Sequence, residues 1–308
     1  MNKDLISAKK IIDSDCITSP TYSQLYMFTT ENIKGIINKI DLNNKKILTV
    51  CSSSDHLFNF LLEGSSTVET FDVNIFTEYF FYLKRATIIN LTYNEFLEFF
   101  FPKYKNKKKV FSKDTYNLIK KDIPEGRVRY FWDELFTNYS SSKLYNSSLF
   151  IKNKPSLKTI IYCNKYLNNE SNYNSLKKIL INYNKLNFYN INIFNDVPKL
   201  DSKVDFIYLS NIFDYLIAKN KIEYLNKIKD LVLKFSNNLK DTGMIGVCYL
   251  YCYLDGYWYT IKDNNLQTLV NENDFIKKEY KIIDFRSSLN IKSTRTKDID
   301  ALMLYKKK

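Results

Sequence analysis

The sequence predicts an α/β fold: a mostly parallel sheet with an antiparallel edge and a helical insertion. Three observations predict it. Two strand–helix units follow one another between residues 46 and 83, the later apolar runs each end in a polar cluster, and breakers are scarce, with six Gly and five Pro in 308 residues. So few breakers imply long regular elements.

From Lys46 the chain reads Ile-Leu-Thr-Val-Cys51, a short run rich in β-formers, and then stops at the polar turn Ser52-Ser53-Ser54-Asp55. Leu57, Phe60 and Leu61 follow at helical spacing, and Glu63-Gly64 closes that helix as a glycine C-cap does. A second strand, Thr67 to Phe71, ends at Asp72-Val73-Asn74, after which Phe76, Tyr79, Phe80 and Leu83 fall at i, i+3, i+4 and i+7. Two successive units of this kind begin a parallel βαβ sheet.

From about 99 to 185 strand alternation is lost, and this stretch is expected to be a helical insertion. The sheet is expected to resume at Phe188 to Phe194, ending in Asn195-Asp196, and at Val204 to Leu209, ending in Ser210-Asn211-Ile212-Phe213-Asp214. Leu225, Ile228, Val232, Phe235 and Leu239 predict a helix running into a turn at Asp241-Thr242-Gly243, and Met244 to Leu254 predict one long strand. Lys281 to Phe285 and Asp298 to Tyr305 complete an antiparallel edge. With no repeat and no linker, one domain with an insertion is expected.

Composition bounds the function only loosely. Hydrophobic residues make up 45% of the chain and charged residues 26%, an ordinary globular balance. The formal charge of +13 and pI near 9.2 would draw nucleic acid, anionic membrane or acidic metabolites without choosing among them. Part of it reflects a general Lys and Asn excess, and the runs at Lys103 to Lys109 and Lys306 to Lys308 read as solvated loop and tail. The five cysteines form no CxxC pair, which points to a reducing, cytoplasmic setting. One histidine leaves few ligands for a metal site, so none is expected. The N-terminus lacks a signal-peptide core, and no apolar run approaches the roughly 20 residues of a membrane span. Peripheral membrane contact stays open.

In a parallel sheet, ligands sit beyond the carboxyl ends of the strands, where the polar clusters here lie. Asp72 at the end of the second strand is a candidate for the two hydroxyls of a ribose, or a cap for the next helix. The loop Cys51-Ser52-Ser53-Ser54-Asp55-His56 matches neither GxGxxG nor GxxxxGK[ST], which disfavours dinucleotides and ATP. Its small side chains permit close approach, and Asp55 is a candidate to neutralise a ligand ammonium; the plain alternative is a serine turn that caps its helix. His56 is a candidate base or a structural residue. With one His, a Ser-His-Asp or Cys-His hydrolase is disfavoured. Arg127, Arg129, Tyr130, Phe131 and Trp132 could equally stack on a base or pack a core.

These segments together resemble the S-adenosylmethionine-dependent family related to the 3-amino-3-carboxypropyltransferase of betaine-lipid synthesis and its bacterial relatives. Tyr22-Ser23-Gln24 looks like the family's YSQ-type entry, and Thr29 to Ile33 like the text after it. Leu48 to His56 resembles the S-[AS]-G-D loop, Phe71-Asp72-Val73-Asn74 the D-x-N segment, Leu91 to Leu97 the LSYEEFL helix, and Phe206 to Tyr215 the LSNI-x-D block. The matches keep their order from about residue 22 to 216.

The resemblance implies a Rossmann-like methyltransferase fold, 46–308, preceded by a helical segment, 1–45, that completes the cofactor site. It implies S-adenosylmethionine with its ribose on Asp72-Val73-Asn74. The methionine end is then expected near Tyr22, Gln24, Ser52, Ser53, Ser54, Asp55, Ser210 and Asn211; Ser23 and Cys51 in the same segments, and Asn195 and Asp196 as another strand-end cluster, are further cofactor-binding candidates. Ser54 stands where the pattern has Gly, a departure that matters if the position requires positive φ. Transfer of an aminocarboxypropyl or methyl group to a small-molecule or lipid acceptor is expected, with Asp214 or His56 as base. The competing expectations are a non-catalytic basic module for nucleic acid or anionic lipid, and a cofactor sensor.

Overall fold

The computed structural model describes residues 3–14, 24–29, 31–38, 40–102, 104, 107–151, 156–216, 218, 221–248, 251–254, 257–260, 280–288 and 299–307. The chain divides into two units by its internal packing: residues 1–30, 51–62 and 72–190 form the first, and 31–50, 63–71 and 191–308 the second.

In chain order the described elements are α1 (Lys3–Ser14), α2 (Ile33–Ile37), β1 (Lys46–Val50), α3 (Asp55–Leu62), β2 (Thr67–Asp72), α4 (Phe76–Asn90), α5 (Tyr93–Phe100), α6 (Lys113–Ile119), α7 (Arg127–Asn138), α8 (Ser141–Asn146), α9 (Leu157–Cys163), α10 (Glu170–Asn182), β3 (Asn187–Asn190), β4 (Val204–Tyr208), α11 (Lys221–Ser236), β5 (Leu239–Cys248), β6 (Tyr251–Leu254), β7 (Tyr257–Thr260), β8 (Tyr280–Ser288) and β9 (Ile299–Lys307).

The second unit carries a sheet in the order β2-β1-β4-β5-β9-β8. β1 runs parallel to β2 and to β4, and β4 parallel to β5, whereas β5–β9 and β9–β8 are antiparallel. This is the mostly parallel, Rossmann-like arrangement with an antiparallel edge that the sequence predicts. Ile47, Leu48, Val68, Phe206, Ile207 and Ile245 are fully or almost fully buried, as expected where a parallel strand is covered on both faces.

Three predicted boundaries differ in the structure. α11 ends at Ser236, and Leu239 already pairs with Val204, so Asp241-Thr242-Gly243 lies inside a strand rather than in a turn after a helix. The register explains it: β4 advances from Val204 to Phe206 while β5 advances from Leu239 to Met244, a bulge that absorbs the extra residues. Gly243 is required there, since a Cβ would stand 2.6 Å from Leu239 Cγ and 3.0 Å from the Asp205 carbonyl oxygen. Of the long strand predicted from Met244 to Leu254, Met244–Cys248 lies in β5, whereas Tyr251–Leu254 pairs antiparallel with Tyr257–Thr260 in a separate two-stranded sheet. The strand predicted at Phe188 to Phe194 stops at Asn190, and residues 192–195 turn on a bond from Asn195 N–H to the Asn192 carbonyl.

The first unit is helical and its core aromatic. Phe131 and Trp132, on α7, are fully buried, the indole N–H donating to the Tyr79 carbonyl at 2.8 Å. Arg129 is bound to the Ile123 carbonyl and Arg127 to Glu78, so packing rather than base stacking accounts for Arg127, Arg129, Phe131 and Trp132. α1 buries Leu5, Ala8, Ile11 and Ile12 and is tied by Lys9 to Glu134 at 2.6 Å. Among the described residues no helix is long and apolar enough to cross a membrane.

Candidate functional site

The adjacent parallel strands β1 and β2 end in register at Val50 and Phe71. Beyond the first, the chain gives the turn Cys51-Ser52-Ser53-Ser54; beyond the second it gives Asp72. The first unit brings these two together: Ser52 N–H donates to Asp72 Oδ2 at 2.9 Å, and Asn74 N–H to Oδ1 at 2.9 Å. Burial pushes the Asp72 carboxyl up to about 6, against the pull of those backbone donors. A carboxylate offers about four acceptor positions. Val73 N–H and the Thr77 side chain bond it as well, so a ribose diol would share its oxygens with these donors or displace them.

The turn is left-handed twice, with φ of +44° at Ser52 and +68° at Ser54. Left-handed serines are uncommon and persist only where the surroundings fix them. Such a turn folds the main chain tightly, Ser54 N–H bonding the Cys51 carbonyl at 2.7 Å. The position where the family pattern has Gly therefore does need positive φ, and Ser54 occupies it. Cys51 is buried and free, its thiol pushed far up by burial and by the Asp72 charge.

Asn74 anchors the other side of the site: its amide donates to the Gln24 carbonyl at 3.1 Å and its side-chain oxygen accepts Phe76 N–H, starting α4. Gln24 donates to the Ser148 carbonyl at 3.0 Å, and the amide of Asn190 to the carbonyls of Asp72 and Val73, both at 3.0 Å. Tyr22 and Ser23 lie outside the described residues.

Asp55 departs from its expected role. Its Oδ2 accepts Thr29 N–H at 2.6 Å and the Ser53 hydroxyl at 3.0 Å; its Oδ1 accepts the Tyr166 hydroxyl at 2.7 Å and the Lys84 ammonium. Two donors on each oxygen fill the carboxylate, so it has no position left for a ligand ammonium. Lys84 completes the group by donating to the Met27 and Ser53 carbonyls at 2.9 and 3.1 Å, with its Nζ 4.0 Å from the Phe28 ring centre. Burial pushes Lys84 down to about 8 while Asp55 pulls it back up. His56, at the first turn of α3, is 1% exposed.

The second unit holds the remaining predicted residues. Ser210, beyond β4, is also left-handed, with φ of +55°. Its hydroxyl donates to Glu31, whose other oxygen accepts the Tyr208 hydroxyl at 2.6 Å. Asn211 follows it in the chain, and Asp214 lies in the short helical turn Ile212–Tyr215, its side chain outside the described residues. Asn195 and Asp196 are exposed, and Asp196 caps its own turn by accepting Val197 N–H at 2.8 Å.

Sequence reasoning missed Lys84, Tyr166 and Glu31 as parts of these clusters. Lys84 had a signal, a cation next to Leu83 and Arg85 in a helix rich in buried aromatic and aliphatic residues. Tyr166 had none, because its partner is 111 residues away.

No family model matches the chain, and no curated protein does. Solved structures resemble it only in chain trace. They include the N-methyltransferase NodS of Bradyrhizobium japonicum with S-adenosyl-L-homocysteine, at 7% identity over 99% of each chain and a TM-score of 0.38. The glycopeptide N-methyltransferase MtfA with S-adenosyl-L-methionine is 9% identical over 95% of this chain and 100% of that one, TM-score 0.42. An rRNA methylase of Streptococcus thermophilus is 9% identical over 90% and 94%, TM-score 0.38.

Proposed function

We propose that the chain binds S-adenosylmethionine and transfers from it a methyl or an aminocarboxypropyl group to a small-molecule or lipid acceptor. One observation carries the reading: the left-handed serine turn and the Asp72 carboxylate at the end of the second strand are joined by a 2.9 Å hydrogen bond. The turn offers close backbone approach, and Asp72 stands at the strand end where an acidic residue meets ribose hydroxyls in such sheets. A negative carboxylate beside a loop without a phosphate-binding pattern favours a nucleoside over a nucleotide.

The bound sulfonium supplies an electrophilic carbon whose bond to sulfur breaks as the acceptor's lone pair bonds to it, the electron pair returning to sulfur. What remains for this chain is positioning, exclusion of water, and removal of the acceptor's proton. Asp72 orients the ribose. Asp214 is the proposed base, since it follows Ser210 and Asn211 beyond β4. Attack on the methyl leaves S-adenosylhomocysteine, and attack on the γ-carbon of the methionine arm leaves methylthioadenosine. The family resemblance favours the second outcome.

Calorimetry with S-adenosylmethionine, followed by mass analysis of the by-product with candidate acceptors, tests the reading and names the carbon. The charge of +13 supports a second reading, a basic binding module. Tight, strongly salt-dependent polyanion binding that ignores S-adenosylmethionine would favour that module instead.

A further inference from the structure

Ser53 sits between two left-handed serines and is held at both of its polar ends: its carbonyl accepts Lys84 Nζ at 3.1 Å and its hydroxyl donates to Asp55 at 3.0 Å. The same two residues hold the entry segment where it continues through Met27 to Thr29, by the Met27 carbonyl and Thr29 N–H. Both side chains are 0% exposed, and neither has a polar position left over. Buried ion pairs contribute little net stability compared with apolar residues of the same volume, so stability alone is a weak reason for this one. A strained turn, by contrast, persists only where its surroundings over-determine it.

We propose that the buried Lys84–Asp55 pair is a positioning device that holds the serine turn and the entry segment in ligand-competent form, without touching the ligand. This rests on the reading that the turn binds the adenosyl nucleoside. Lys84 fixes the direction of the peptide after Ser53, which sets the left-handed conformation of Ser54. Asp55 fixes the Ser53 side chain from the opposite side. Tyr166 only completes the carboxylate's shell and touches neither the turn nor the entry segment through this bond.

The test uses the full chain with three changes: Lys84→Met, the double variant Asp55→Asn with Lys84→Met, and Tyr166→Phe. Lys84→Met leaves an unpaired buried carboxylate and is expected to lose much of its fold. The double variant removes both charges and is expected to recover a cooperative melt. Its affinity for S-adenosylmethionine, by calorimetry, should nonetheless fall about tenfold or more, a loss of about 1.4 kcal/mol. Tyr166→Phe should lower the melting temperature and leave affinity within about twofold.

Amide exchange at Ser52 and Ser54 in ligand-free protein supplies a second readout, and both should exchange faster in the double variant than in Tyr166→Phe. A folded double variant with wild-type affinity would overturn the proposal. If wild-type protein does not bind S-adenosylmethionine, the nucleoside reading fails. The exchange data then decide the positioning claim, and unchanged protection in the double variant overturns it.

Discussion

Ser54→Gly should stabilise this protein, although glycine ordinarily weakens a fold. At φ of +68° the serine Cβ is crowded, at a cost of about 1–2 kcal/mol for an L-residue. Glycine removes that cost but adds unfolded-state freedom of about 0.5–1 kcal/mol. The Ser54 hydroxyl is buried without a well-formed hydrogen bond, so losing it releases about 1 kcal/mol at the low end. The small void left behind costs nearly the same, about 0.8 kcal/mol for one methylene-sized group. The net is about 1 kcal/mol of stabilisation, and in a chain of this size a shift of about 2 °C in melting temperature. Ser54→Ala is the control, because it drops the hydroxyl and keeps the Cβ. Urea denaturation of both variants separates the two effects: strain relief offsets the unfolded-state and void costs, so Gly is expected to about match Ala. A Gly variant about 1 kcal/mol or more below Ala, as at an ordinary right-handed position, would refute a left-handed turn at residue 54.

Three further expectations concern the acidic groups. Asp72, with its carboxyl raised to about 6 from 3.8, should give nucleoside affinity that is full above pH 6 and lost as pH falls through it, about tenfold weaker at pH 5 than at pH 7. Asp72→Asn should flatten that profile, and an Asn variant with the same pH dependence would assign the titration elsewhere. For folding the sign is opposite: a raised carboxyl contributes stability present below about pH 4 and lost as pH rises through about 6, so this one group should favour the ligand-free fold at the lower pH. Asp214→Asn should cut turnover by about 10²-fold or more with cofactor affinity nearly intact; unchanged turnover removes Asp214 from the mechanism.

What could be read from the sequence was what local chemistry writes there. β1, β2 and β4 were legible because a short run of β-formers followed by a polar turn has few other readings, and α4 because its apolar residues keep helical spacing. The bulge at Asp241 to Gly243 was not legible: Asp-Thr-Gly spells a turn locally, and only pairing with β4 keeps it in a strand. The pairing of the serine turn with Asp72 was legible because both follow adjacent parallel strands. The engagement of Asp55 was hidden, since its partners Thr29, Lys84 and Tyr166 come from three distant segments and nothing in the loop itself announces that its carboxylate is already filled.

Asp72 and the serine turn together hold one adenosyl nucleoside in this proposal, and titration calorimetry of S-adenosylmethionine into wild-type and Asp72→Ala protein at about pH 7.5 is its decisive test. Wild type should bind saturably, one to one, and the variant should lose about tenfold or more in affinity, the scale of hydrogen bonds to a charged acceptor. Equal affinity in the two proteins, or no heat of binding in wild type at millimolar ligand, would contradict it.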